Sequence, residues 1–423
     1  MINYYDPSEK IKEIQQLLVS DKKKIGFLFG AGTSLSKKSD KSPYIPAVTK
    51  MTQSVIEALE KKGYKETIAS IKSDIIENGE TFTIETLLSN IEGKISIIGK
   101  GKLNGLDKEQ FIALGKEIRD KVREIVSVHK DIKDDRFKEM AQYDFGSWIK
   151  SAFRKYAVEI FTTNYDYLLE IGLEQNNVPY YDGFTGSYKP FFNSDSVEDI
   201  HYLPQQTKIW KIHGSLGLHQ DGTKIIRRGE SDKDDLLIYP SVLKYSNSKK
   251  QPYASFMDRL NSFLRQNDAV LFVCGYSFGD EHINERIMSA LQTETTAHVY
   301  VLNYDVEKDV AGNRVNTFSE ETNIAKLAKS CRKLSVLSTR KAIYGAQIGT
   351  WKLKREPDNS DTLNINWYFD EDAPYKEIEV SKEQKGDEQW SGEGELSIVD
   401  FSKFTKFLLN MIPKDNVDVT NND

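Results

Sequence analysis

The sequence predicts an α/β protein in which a parallel sheet is covered by helices and carries a large helical insertion and a C-terminal appendage. Two observations predict the sheet. Short segments rich in β-branched and aromatic residues recur at Ile25 to Phe29, Val158 to Phe161, Lys208 to Ile212, Ala269 to Cys274 and His298 to Leu302. They are predominantly apolar rather than alternating, which is the pattern of strands buried on both faces. Helical patterns lie before and between them, as crossovers between parallel strands require. A third observation predicts the insertion, because about a hundred helical residues separate the first two strands and one crossover helix needs far fewer. Within them Phe111, Leu114, Ile118, Val122 and Ile125 recur at three- and four-residue intervals.

Taken in order, residues 1–340 read as one Rossmann-like nucleotide-binding domain, with 48–150 as a helical subdomain set against its sheet. After residue 340 the composition turns acidic-leaning and loses helical period. Residues 341–423 therefore read as a C-terminal arm, a small sheet plus the short amphipathic segment "FSKFTKFLLNMI", with a frayed end after Pro413.

Composition bounds the function. The 423 residues suffice for two or three domains, and 39% hydrophobic content supplies at least one large core. A net charge of -6 gives no overall attraction to nucleic acid or anionic lipid. The basic runs at 22–24 and 36–41 have no aromatic face beside them and read as solvated loop charge. Two cysteines, Cys274 and Cys331, are too few for a disulfide framework or a four-thiolate zinc site, so no metal is expected. His201, His219 and His282 have no ligand spacing with cysteines. No apolar run approaches the roughly 18 residues of a spanning helix, and the N-terminus has no basic-then-apolar leader pattern. A soluble, cytoplasmic protein is expected, with no membrane and no direct nucleic-acid contact.

Four strand ends carry the chemistry. "IGFLFGAGTS" runs a strand into Gly30, Ala31, Gly32, Thr33 and Ser34, where small residues let backbone approach a pyrophosphate at a helix N-terminus. The third glycine of the full dinucleotide fingerprint is missing, so the motif alone is equally a tight turn. "EIFTTNYDYLLE" places Thr162, Thr163, Asn164 and Asp166 where a strand runs out. "IWKIHGSLG" does the same with His213, and "VLFVCGYSFGDEHIN" with Gly275, Tyr276 and Ser277. In one parallel sheet these ends face one crevice.

In this order the four stretches resemble the sirtuin family of NAD-consuming proteins. The likeness lies in "GAGTS", "TTNYD", "HGS" and "GYS", within a core from about 22 to 305. It implies that Gly30, Ala31, Gly32, Thr33 and Ser34 meet the phosphates and ribose of NAD. It further implies that Thr163, Asn164 and Asp166 lie at the nicotinamide end and that His213 is the catalytic histidine. Gly275, Tyr276 and Ser277 fall on the adenosine side, and Asn303 in "VLNYD" matches a residue at the adenosine ribose. The departures matter as well. The four-cysteine zinc module of deacylating sirtuins is missing, the usual glutamine before the asparagine is Thr163, and "SPYIPAVTKM" replaces the family's Asp-Phe-Arg segment. With the helical insertion, these resemble the bacterial antiphage branch, whose members hydrolyse NAD. That resemblance implies restraint by homo-oligomerisation or by a HerA-type hexameric ATPase partner.

The residues fit that chemistry. Nicotinamide leaves NAD from a cationic ring, so no general acid is needed; the ribosyl cation and the water that captures it must be stabilised. Asn164 offers a donor and an acceptor for that water or the ribose hydroxyls, and His213 can take a proton near neutral pH. Asp166 either holds the nicotinamide carboxamide or caps the next helix. Thr162 and Thr163 can equally be strand-end packing, and Tyr165 and Tyr276 either shield the pocket or pack in the core. The expectation is an NAD+ hydrolase releasing nicotinamide and ADP-ribose. The alternatives are an NAD-dependent protein deacylase or ADP-ribosyltransferase, and a non-catalytic NAD or ADP-ribose sensor.

Overall fold

A computed structural model describes residues 3–132, 134–152, 154–227, 251–309, 311–358, 361–371 and 390–412. The stretch after Pro413 lies outside them. Ten strands form the main sheet: β1 (Tyr4–Tyr5), β2 (Lys24–Phe29), β3 (Glu159–Thr162), β4 (Tyr180–Tyr181), β5 (Thr207–Lys211), β6 (Ala269–Cys274), β7 (His298–Asn303), β8 (Leu334–Ser338), β9 (Lys341–Tyr344) and β10 (Gln347–Trp351). Their spatial order is β1-β10-β9-β8-β7-β6-β2-β3-β5-β4. Every neighbouring pair is parallel except the two made by β9. The five strands expected from the sequence are β2, β3, β5, β6 and β7, each within a residue of its expected bounds, and the Rossmann-like α/β class is the observed one.

The helices are α1 (Pro7–Val19), α2 (Ala31–Leu35), α3 (Val48–Lys61), α4 (Lys65–Glu77), α5 (Ile84–Ile97), α6 (Lys108–Val126), α7 (Ala141–Ser151), α8 (Leu168–Glu174), α9 (Ser194–Glu198), α10 (Tyr253–Leu264), α11 (Glu281–Leu291), α12 (Asn323–Ser330) and α13 (Phe401–Asn410). They build a layer on each face of the sheet. On one face α1, α7 and α13 bury Ile14, Phe145, Trp148 and Phe404 against Phe27 and Phe272. On the other, α10, α11 and α12 bury Phe263, Ile287 and Ile324 against Leu271 and Val299. Strands covered on both sides cannot alternate in polarity, which is why their sequences are nearly continuously apolar.

α3 to α6 form a separate cluster with its own core, in which Val55, Ile71, Leu87, Phe111, Leu114 and Ile118 are buried. Reciprocal capping boxes start α5 at Thr83 and Thr86 and α6 at Asp107 and Gln110. α7 closes this span but packs on the sheet, alongside α8 and α13. Beyond residue 340, β9 and β10 extend the main sheet, Phe369–Asp370 pairs with Glu395–Leu396 in a two-stranded ribbon, and α13 docks on the sheet layer. A further four-stranded antiparallel sheet is built from residues 184–185, 191–192, 218–221 and 224–227.

The strand order fixes where a ligand can sit. From β2 the chain reaches β3 and β5 on one side, whereas β6, β7 and β8 are added on the other. The connections leaving β2 and β6 therefore lead to opposite sides of the sheet order, and the carboxyl ends of these two strands mark the switch point at which a ligand crevice is expected.

Candidate active site

The two glycine loops meet at this switch point by direct backbone contact. The amide of Gly30 donates to Cys274 O at 3.0 Å and that of Gly32 to Gly275 O at 2.9 Å. A Cβ on Gly30 would lie 2.5 Å from Gly275 O, and one on Gly275 would lie 2.5 Å from the Thr33 nitrogen. Gly275 also holds φ +64°, a conformation that favours glycine. The sequence reading gives Gly30 and Gly32 to the phosphates and ribose and Gly275 to the adenosine side; in the structure their missing side chains first let the two loops touch. α2 starts there, with Gly30 at its N-cap position.

Asn164 ties the β3 loop to the first glycine loop. Its Nδ2 donates to Gly30 O at 3.1 Å, to Thr33 Oγ1 at 3.0 Å and to Ser34 Oγ at 2.8 Å. A carboxamide has two N–H groups, so these three acceptors use all its donor capacity and leave the carbonyl oxygen for a ligand. Ser34 Oγ donates on to Asp166 Oδ2 at 2.8 Å, and Asp166 Oδ1 accepts from the Leu168 amide at 3.0 Å at the start of α8. Asp166 thus joins the first turn before α8, whose N-cap position is Tyr167, to the glycine loop.

A cavity of about 470 Å³ opens above these groups, within the usual range for small-molecule sites. Its polar wall holds Asn164, Asp166 and His213 together with Ala31, Gly32, Ser34, Thr163, Gly275, Tyr276 and Ser277. Its apolar wall comes from the insertion and the segment leading into it, through Ile45, Met51, Leu88, Val122 and Val126. Three of the expected site residues do not line it. Gly30 is packed under the Gly275 loop, Thr33 is buried with its hydroxyl bonded to Gly30 O, and Asn303 at the end of β7 donates to Ser338 Oγ at 2.8 Å.

His213 follows β5 and is nearly buried, with its Nε2 2.9 Å from Asp280 Oδ2. The sequence reading passed over Asp280, although it stands in the motif that supplied Gly275, Tyr276 and Ser277. The Tyr276 hydroxyl lies 3.1 Å from both Asp280 O and Asn284 Oδ1, which share its one hydrogen, and burial beside Asp280 raises its phenol well above the ordinary value. Lys211 was also missed. Its buried ammonium pairs with Glu170 Oε1 at 2.7 Å and bonds Asp166 O, so it braces the β3 loop from beneath. A lysine inside an apolar strand was the available signal. Burial raises the Glu170 carboxyl, with Lys211 opposing the shift.

Among the described residues no cluster of three or more His, Cys, Asp or Glu could hold a metal ion, and no helix is long and apolar enough to cross a membrane.

A family model described as SIR2-like domain matches residues 158–325, a span holding the Asn164, His213 and Gly275 motifs. No curated protein matches the chain. The match supports a sirtuin-like family and an NAD-related activity.

Proposed function

We propose that this chain hydrolyses NAD to nicotinamide and ADP-ribose. The observation that carries the reading is that Asn164 and His213, brought from the ends of two neighbouring strands, line one cavity floored by two interlocked glycine loops. In the reaction the bond between the ribose C1′ and the pyridinium nitrogen breaks, and its electron pair leaves with nicotinamide. Water adds to C1′ and gives up one proton. Asn164, its N–H groups engaged by the glycine loop, presents a carbonyl oxygen that orients the water or a ribose hydroxyl. His213 accepts the proton, a role typically contributing 10²- to 10⁴-fold. Gly32, Ser34, Gly275 and Ser277 hold the rest of the dinucleotide, and the apolar wall shields the nicotinamide end.

The test is release of free nicotinamide from NAD by purified protein, alone and with candidate activators. Product that His213→Ala and Asn164→Ala abolish is expected, and its absence under every condition overturns the reading.

An unrestrained NAD hydrolase depletes its own cell. We place the activity in bacterial antiphage defence, held in check by homo-oligomerisation or by a HerA-type hexameric ATPase; the support is the sequence resemblance to that branch. Co-expression with the neighbouring gene product followed by size-exclusion chromatography tests the partnership, and a persistently separate monomer counts against it.

A further inference from the structure

We infer that the C-terminal helix α13 belongs to the cleavage site, with Asp400 and Phe401 as positioning residues that hold α2 where it aligns Asn164; the functional part of this inference rests on the NAD-cleavage reading above. α2 needs such support. It has five residues, too few for a helix to be stable alone, and its N-cap residue, Gly30, has no side chain with which to cap it. Its other end meets α13 across 364 residues of sequence. The Ser36 hydroxyl at the end of α2 accepts from the Ser402 amide at 3.0 Å and donates to Asp400 Oδ1 at 3.4 Å. The same oxygen caps α13 by accepting from the Ser402 and Lys403 amides at 2.8 and 3.2 Å. One carboxylate therefore starts one helix and holds the end of the other.

Phe401 makes the apolar half of this joint. It is buried, and its ring stands edge-on to Phe29 with the centroids 5.1 Å apart. Phe29 is the last residue of β2, directly before Gly30. Phe29 and Phe401 share the lining of a small interior space with Thr33, Ser34, Asn164 and Asp166. A second brace comes from α7, against which α13 packs, where the buried Gln142 Nε2 donates to Thr33 O at 2.9 Å. Ala31, Gly32 and Ser34 of the braced helix line the ligand cavity, whereas Asp400 and Phe401 do not. Both residues thus act through α2 rather than on the substrate.

The three acceptors of the Asn164 amide, Gly30 O, Thr33 Oγ1 and Ser34 Oγ, all lie on α2 or its cap. A shift or tilt of α2 therefore re-aims the carboxamide whose oxygen orients the water or a ribose hydroxyl. Misplacing such a group by about 1 Å costs up to roughly 10²-fold in rate. The bonds and protons exchanged in NAD hydrolysis are unchanged.

Phe404, one turn along α13, separates this role from a structural one. It is equally buried but packs on Phe27 and Phe272, within the strands rather than at their ends. Leucine at either position removes an aromatic ring from the same helix, and only Phe401→Leu removes it from beside Phe29. In 15N NMR of protein labelled at asparagine, the Asn164 side-chain NH2 signals, assigned by their loss in Asn164→Asp, should shift in Phe401→Leu and in Asp400→Ala. They should stay in place in Phe404→Leu and in Asp400→Asn, because asparagine caps a helix as aspartate does and keeps an acceptor for Ser36. With NAD, Phe401→Leu and Asp400→Ala should lose roughly tenfold in kcat, and the other two variants should stay within about twofold of the unmodified protein.

Unmoved Asn164 signals in folded Phe401→Leu or folded Asp400→Ala overturn the inference, and so do equal shifts in Phe404→Leu or Asp400→Asn. In a protein that releases nicotinamide, kcat within twofold for Phe401→Leu or Asp400→Ala overturns it as well. Should Phe401→Leu fail to fold, the comparison of Asp400→Ala with Asp400→Asn decides alone. The NMR measurement needs no NAD, so selective movement of the Asn164 signals in a protein that cleaves no NAD retains α13 as the brace of the amide and removes only the hydrolase reading.

Discussion

The Asn164 carboxamide donates to the Ser34 hydroxyl at 2.8 Å, and that hydroxyl donates to Asp166 at the same distance. One serine thus aligns the amide and satisfies a buried carboxylate oxygen. Ser34→Ala removes both contacts and leaves Asp166 Oδ2 without its hydroxyl donor. We expect a loss of about 1–3 kcal/mol in stability, measured by urea unfolding. Nicotinamide release should fall roughly tenfold or more as the Asn164 amide loses an anchor. A variant with unchanged stability and unchanged turnover would show that the chain of contacts has no energetic weight.

Gly275 and Gly279 provide a contrast within one loop. A Cβ on Gly275 would strike the Thr33 nitrogen at a residue already at φ +64°, whereas a Cβ on Gly279 would meet only Ser277 Oγ at 3.4 Å. Gly275→Ala should therefore cost more than about 2 kcal/mol and weaken NAD binding by displacing the first glycine loop. Gly279→Ala should stay within about 1 kcal/mol. Equal thermal unfolding temperatures for the two variants would contradict the interlocking of the loops.

Glu159 and Arg259 form a buried ion pair with two contacts, Nε to Oε2 at 2.8 Å and Nη2 to Oε1 at 2.7 Å, and Trp210 Nε1 donates to the same carboxylate at 2.9 Å. The Arg259 side chain is fully buried. Glu159→Gln keeps the shape and strands the guanidinium, so a loss of about 3–5 kcal/mol is expected in chemical denaturation. Removal of Glu13, which pairs with Lys10 on the exposed surface of α1, should cost less than about 1 kcal/mol.

His298 starts β7, where burial lowers its pKa to about 4 while its Nε2 sits 2.9 Å from Ser335 Oγ. The folded protein holds it neutral down to that value, whereas the unfolded chain takes up the proton near 6.5. Between those values the unfolded state binds more protons, so stability rises with pH and is lost as pH falls from about 6.5 toward 4. Over that window the group removes at most roughly 3 kcal/mol. His298→Gln should flatten the unfolding free energy against pH by that amount relative to the unmodified protein; parallel curves would rule the contribution out.

Much of this was legible in the sequence because burial on both faces leaves a mark that needs no partner to read. β2 and β6 announced themselves as apolar runs ending in glycine, and polar residues at strand ends pointed to one crevice. Asp280 was not legible, since what matters about it is the group it meets across the fold; Lys211 left a signal, a lysine inside an apolar strand, but nothing near it in sequence points to its partner Glu170. The apolar wall was hidden for the same reason. Val122 reads as one helix's own core position, and only the docking of the insertion brings it and Val126 to the cavity. Asn303 shows the reverse, a strand-end residue whose amide is taken up by Ser338 on the neighbouring strand.

The contact between the Gly30 loop and Gly275 also sets a schedule. Ribosomes add about 5–20 residues per second, so the first loop emerges on the order of ten to fifty seconds before the second is even polymerised. A half-made chain thus lacks the Gly275 loop, and the cleft is completed only when nearly two-thirds of translation is over.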